Sequence, residues 1–155
     1  MCHDRVVRAV VQRVERASVD SIVDGVRSRA GEIGPGLMVL VGVTHDDDAA
    51  KATKLADKIW NLRIFDDAGG VMNLSLADTH RRVLLVSQFT LYGDTDSGRR
   101  PSWIRAARPE VAEPLVGAVV SELRRLGASV ETGRFRTEMK VEIVNDGPVT
   151  LVVEV

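Results

Sequence analysis

Hydrophobic and polar residues change their spacing several times along this chain, and each change marks an element. From Val7 to Val19 valines interleave with Arg, Gln and Ser in a strand-like pattern, which resumes around Ile22, Val23 and Val26 through Ser21–Glu32. Asp24-Gly25 between them is a hairpin signal. Gly34-Pro35-Gly36 breaks the chain, and the apolar run Leu37–Val43 that follows predicts a strand buried on both faces. Asp46-Asp47-Asp48 opens a helix, where carboxylates complement the dipole, with Ala52, Leu55, Ala56, Ile59 and Leu62 on one face. Ile64-Phe65 leads into the turn Asp66–Gly70, and Arg82–Leu91 predicts a second buried strand. Gly93–Arg100 is a polar loop. A second helix starts at Pro109 with Val111, Leu115, Val119, Leu123 and Leu126 on its apolar face, Pro114 disturbing its first turn and Gly127 ending it. The tail predicts strands over Ala128–Thr132, Met139–Val144 and Thr150–Val155, the last two joined through Asn145–Thr150 as a hairpin. The pattern is α/β with two main helices. Its hairpin-type connections favour a mixed, mainly antiparallel or barrel-like sheet over a doubly wound one.

Composition narrows the class. The 155 residues suffice for one domain with a real core, and 45% hydrophobic with 28% charged residues is a soluble balance. The longest apolar runs are strand-sized and too short to span a bilayer. The opening Met-Cys-His-Asp-Arg has no apolar signal core, and Cys2 is the only cysteine, so an internal disulfide is impossible. These features predict a cytoplasmic protein. Net charge is −1, so no overall basic field points to nucleic acid. Arginine nonetheless far outnumbers lysine, with pairs at Arg81-Arg82, Arg99-Arg100 and Arg124-Arg125. Arginine suits phosphate recognition, although a GC-rich coding sequence produces the same excess.

Most reaction chemistries find no support in the residue pattern. Gly31–Gly36 leads into a strand and contains proline, whereas a phosphate loop opens a helix. His45 beside Asp46–Asp48 reads as a helix start, since adjacent carboxylates diverge and no second ligand group is suitably spaced. His3 and His80 have no partner ligand nearby. No Gly-x-Ser-x-Gly elbow is present, and Cys2 lies at the terminus. No metal and no cofactor are expected. Two polar segments remain. Ser87-Gln-Phe-Thr-Leu91 could set a hydroxyl, an amide and backbone N–H groups at a cleft, or be ordinary strand-end polarity. Asn145-Asp-Gly-Pro-Val-Thr150 is compatible with a plain turn.

Taken together, these segments resemble the D-aminoacyl-tRNA deacylase family. The resemblance runs over Val10-Val-Gln-Arg-Val14, Ala17-Ser-Val19, Gly31-Glu-Ile-Gly34, Arg63-Ile-Phe65, Met72-Asn-Leu74, Ser87–Leu91, Arg100-Pro-Ser102, Thr132-Gly-Arg-Phe135 and Met139–Thr150, covering Val7–Val155. It implies the fold of that family as one domain over residues 7–155, and a homodimer with active sites at the interface. It also implies an esterase that frees D-amino acids from tRNA and accepts glycyl-tRNA. Ser87, Gln88 and Thr90 would serve the chemistry at the 3′-terminal adenosine, with the terminal ribose 2′-hydroxyl helping to activate water. Phe89 and Met139 would line the site. Gly147-Pro148 would be a Gly-cisPro element entering the partner's site, where its carbonyls reject L-amino acids. The chain departs from the family pattern in three stretches. Trp103 stands where Phe is usual, Arg136-Thr137 replaces a small pair, and Met1–Val6 precede the usual start as a dispensable extension, with Val7 in the place of the initiator Met. A related editing domain of different stereochemistry, like that attached to some archaeal threonyl-tRNA synthetases, and a non-catalytic RNA-binding module are the alternatives. Hydrolysis of D- against L-esters separates the first, and binding without hydrolysis marks the second.

Overall fold

A computed structural model describes residues 7–155, so the expected extension Met1–Val6, with Cys2 and His3, lies outside the described residues. Strand β1 (Arg8–Val23) turns through Asp24-Gly25 into β2 (Val26–Ile33) and then β3 (Gly36–Gly42). Both turn residues are left-handed, with φ of 51° and 77°, as a two-residue hairpin with right-twisted strands requires. Helix α1 (Ala49–Asn61) follows, capped by the Asp48 side chain, which accepts from the Lys51 amide at 3.0 Å. Next come β4 (Phe65–Asp66), β5 (Met72–Leu74), a short α2 (Leu76–Thr79) and β6 (Arg82–Ser87). A 3-10 turn (Phe89–Tyr92), helix α3 (Pro109–Leu126), β7 (Val130–Thr132) and β8 (Glu138–Glu154) complete the chain.

The main sheet runs β2-β1-β3-β6-β7, with β8 also paired to β1. One edge of β1 carries β3 along Arg8–Val14 and then β2 along Ala17–Val23, and its other edge carries β8 throughout. Serving three neighbours in this way makes β1 the centre of a strongly curved, barrel-like sheet. The pairs of β1 are antiparallel, whereas β3–β6 and β6–β7 are parallel, their crossovers containing α1 and α3.

Two cores explain why β3 is apolar without interruption. Leu37, Val39 and Val41 face α1 and α3 together with Val83, Leu85, Leu55, Ile59 and Leu123. Met38, on the opposite face, joins Val14, Ala17, Val19, Ile33, Leu84 and Val86 in a second core. Each fully buried leucine of this kind stabilises the fold by about 1.5–3 kcal/mol.

Four local expectations change. The strand from Arg82 ends at Ser87, not Leu91. The Gln88 amide closes its pairing with β3 by donating to the Val41 carbonyl at 2.8 Å, after which the chain folds tightly over Gly42. The buried face of α3 is Ala112, Val116, Val119, Val120 and Leu123, while Val111 is exposed. Strict four-residue spacing drifts around a 3.6-residue helix, leaving Val111 about 120° from Leu123. The expected hairpin at Asn145–Thr150 is absent: β8 is one strand of 17 residues, because both flanks of that segment pair with β1. Helix α2, which the hydrophobic pattern does not reveal, is closed by a reciprocal cap between Ser75 and Asp78.

Candidate active site

The end of β6 and the start of α3 flank a cavity of about 520 Å³. Ser87, Gln88 and Phe89 form one side, Phe135, Thr137 and Met139 another, and Trp103 stands at its edge. Phe89 and Trp103 meet edge to face, their centroids 5.4 Å apart, and both are partly exposed. Four of the expected site residues, Ser87, Gln88, Phe89 and Met139, therefore come together.

Thr90 lies on the exposed face of the 3-10 turn, where Gln88 Nε2 donates to its hydroxyl oxygen. The turn is anchored from below. A Cβ at Gly42 would come within 3.0 Å of Leu91 Cβ and 3.1 Å of the Gln88 carbonyl, so the turn packs tightly on β3 at this glycine. Arg8 Nη1 donates to the Leu91 carbonyl at 3.0 Å, its Nε donates to Glu154 at 2.8 Å, and its guanidinium covers the Tyr92 ring at 4.8 Å. Tyr92 is wholly buried, and burial raises its phenol well above the ordinary value. The turn spends the amides of Leu91 and Gly93 on the carbonyls of Gln88 and Thr90. The amides of Phe89 and Thr90, which open it, have no acceptor inside the turn.

Gly147 and Pro148 do not line this cavity. Asp146–Val149 bulge out of β8 opposite Arg13 alone, between the pairs Val14↔Asn145 and Gln12↔Thr150. Within the bulge the Gly147–Pro148 peptide is cis and both residues are exposed. Asn145 Nδ2 closes its base by donating to the carbonyls of Arg13 and Val149 at 2.8 and 3.0 Å. Arg13 supports it from beneath: Nε donates to the Asp146 carbonyl at 3.1 Å, and Nη1 to the Ile64 carbonyl at 2.8 Å and to Asp66 at 3.3 Å. Only 8% of Arg13 is exposed. Gly147 has φ 128°, and a Cβ there would sit 2.8 Å from Val149 Cγ2 and 3.0 Å from Arg13 Nη2. Arg13 and Arg8 are contributions that sequence reasoning missed. The available signal was an arginine at a core-facing position of a valine-rich strand, since burying a guanidinium requires acceptors.

A profile of the family described as D-Tyr-tRNA(Tyr) deacylase matches residues 10–154, which include every one of these elements except the first residues of β1. The chain belongs to that family. A D-aminoacyl-tRNA deacylase of Symbiobacterium thermophilum is 56% identical over 149 residues, covering 96% of each chain. Among solved structures, a c-Myc DNA unwinding element binding protein superposes with a TM-score of 0.86 at 37% identity, covering 96% of this chain and 98% of that one. A structure described as a "probable eukaryotic D-amino acid tRNA deacylase" shares the fold with a TM-score of 0.81 at 16% identity, over 97% of this chain and 100% of the other. The mixed α/β, barrel-like architecture is thus that of the deacylase family.

The departures at 103 and 136–137 cluster around this cavity. Thr137 donates to the Arg134 carbonyl at 2.8 Å and accepts from the buried Ser21 hydroxyl at 2.9 Å, tying the cavity wall to β1. The described lining offers hydroxyls, an amide and one guanidinium, but no carboxylate, imidazole or thiol. Among the described residues no His, Cys, Asp or Glu cluster suits a metal ion, and no helix is long and apolar enough to cross a membrane.

Proposed function

We propose that this chain hydrolyses the ester of D-aminoacyl-tRNA, releasing the amino acid and tRNA, and spares the L-esters. The observation that carries the reading is the cavity beside Ser87–Thr90, lined by hydroxyls, an amide and apolar walls without a nucleophile–base pair. An aminoacyl ester is already activated, so water needs positioning and the developing oxyanion needs donors. The hydroxyl of Ser87 at the strand end, the amides of Phe89 and Thr90 and the Thr90 hydroxyl on the turn that Arg8 braces supply donors. The terminal adenosine carries its ester to this turn, and its ribose 2′-hydroxyl assists the water.

Stereochemistry is assigned to Gly147-Pro148 of a second copy. A bulge presenting backbone atoms reads only the parts common to all amino acids, so it discriminates handedness while tolerating varied side chains. Its hold by Arg13 and Asn145 supports this role, because a chiral filter must not yield. Glycyl esters, which have no side chain to exclude, are then cleaved too.

The test is deacylation of D-tyrosyl-, L-tyrosyl- and glycyl-tRNA, each with and without chelator. The expected result is cleavage of the first and third in both conditions. Equal cleavage of both tyrosyl esters would remove the stereochemical reading. Loss of activity in chelator that added zinc restores would remove the metal-free mechanism.

A further inference from the structure

Arg136 is the one ionised side chain among the described residues lining the 520 Å³ cavity. Its backbone is left-handed at φ 62°, a conformation that disfavours a residue with a side chain. The Thr137 hydrogen bonds to Arg134 and Ser21 support that turn. From it the guanidinium reaches Glu110 Oε1 at 3.4 Å, on the first turn of α3. The side chains of this pair are 53% and 72% exposed. Ion pairs so open to water contribute little, so another anion can displace Glu110 at small cost.

The reading above decides which anion this is, and the present inference rests on it. A fixed cation facing the amino-acid side chain would sort D-amino acids by charge, against the tolerance that a backbone filter provides. The terminal adenosine, by contrast, brings one invariant anion, the phosphodiester to the preceding nucleotide. The RNA must leave through the mouth of the cavity, where Arg136 stands exposed. We propose that Arg136 binds this phosphodiester, exchanging Glu110 for it, and so makes the site prefer an ester on RNA over one on a lone nucleoside. The planar, forked guanidinium suits a phosphate's paired oxygens.

The experiment uses cytidylyl-adenosine and its uncharged methylphosphonate analogue. Binding of the unesterified dinucleotides is followed by tryptophan fluorescence, since Trp103 edges the cavity, and hydrolysis of their D-tyrosyl esters by kcat and KM. The full chain should favour the phosphodiester about tenfold, through Kd and KM rather than kcat, as for one charged hydrogen-bonding contact. Arg136→Ala should erase that preference, Arg136→Lys should keep part of it, and Glu110→Gln should tighten the phosphodiester a fewfold. Equal weakening of both dinucleotides by Arg136→Ala would overturn the proposal. So would a preference for D-aspartyl over D-asparaginyl esters that the same variant abolishes, because Arg136 would then read the side chain. Failure of the unaltered chain to cleave any ester would remove the deacylase reading alone, and the Kd values would still judge the phosphate contact.

Discussion

Thr90, beside the cavity, and Arg13, beneath the bulge, show how differently two residues can be legible. Ser87-Gln-Phe-Thr-Leu91 was readable as a polar end to an apolar strand, and its resemblance to a family motif gave it a role. What the sequence could not convey is that Thr90 turns outward on a 3-10 turn while Gln88 holds its hydroxyl. That geometry comes from contacts with Gly42 and Arg8, distant in sequence. Arg13 was hidden because its acceptors, Ile64 and Asp66 in one segment and Asp146 in another, lie far from it in the chain. A hydroxyl needs an adjacent base to attack a carbonyl, and the cavity lining contains none. Thr90→Ala should therefore slow hydrolysis by up to about a hundred- to a thousandfold, the loss of one transition-state donor. No acyl-Thr90 intermediate should accumulate, and trapping one by mass spectrometry would reverse the assignment.

Among the elements, strands built from alternating or continuous apolar residues were well predicted, because both signals reflect local burial. The Asn145–Thr150 segment was misread as a hairpin because Asn-Asp-Gly-Pro has the same turn chemistry inside a bulge. Only the long-range pairing with β1 separates the two. Helix α2 is too short for periodicity, yet its capping pair is written in Ser75 and Asp78. The Asp78 carboxylate accepts from the Ser75 amide at 2.9 Å, and that hydrogen bond holds its pKa below the ordinary aspartate value. A carboxylate depressed in the folded state stabilises it above the unfolded pKa, and this contribution is lost as pH falls through the folded one. Acid should therefore loosen α2 only below the ordinary aspartate range. Ser75 is buried, and Ser75→Ala should cost about 1 kcal/mol in denaturant unfolding. Helix α2 adjoins β5, whose partner β4 supplies Asp66 to Arg13, so hydrogen exchange at Asp146, Gly147 and Val149 should quicken in the same variant. Unchanged exchange there would show that the bulge does not depend on this support.

At the scale of the whole molecule, the proposed function joins the bulge of one copy to the cavity of another. Among the described residues β8 pairs with β1 along one edge only, and its Val141 and Val152 are exposed, so its other edge is open to a further strand. If two copies exchange bulges, Thr90→Ala impairs the cavity of its own chain. The Cβ of Gly147→Ala, crowded against Val149 and Arg13, should instead push the bulge into its partner's site and block D-ester turnover there. Mixed after co-refolding, two impaired variants should regain about a quarter of the unaltered activity. Half the dimers are then mixed, and each has one intact site of two. Absence of recovery would return the bulge to its own chain. The bulge also bears on how the length of the chain can vary. A hairpin tip such as Asp24-Gly25 absorbs an extra residue, since nothing beyond it must realign. Asp146–Val149 lie between two stretches fastened to the same strand, so an added residue has only two outlets. It can lengthen the bulge and carry Gly147 away from Arg13, or slide Thr150–Glu154 by one place and turn Val153 out of the core. The number of residues in this segment is therefore held as firmly as the identities of Asn145 and Gly147.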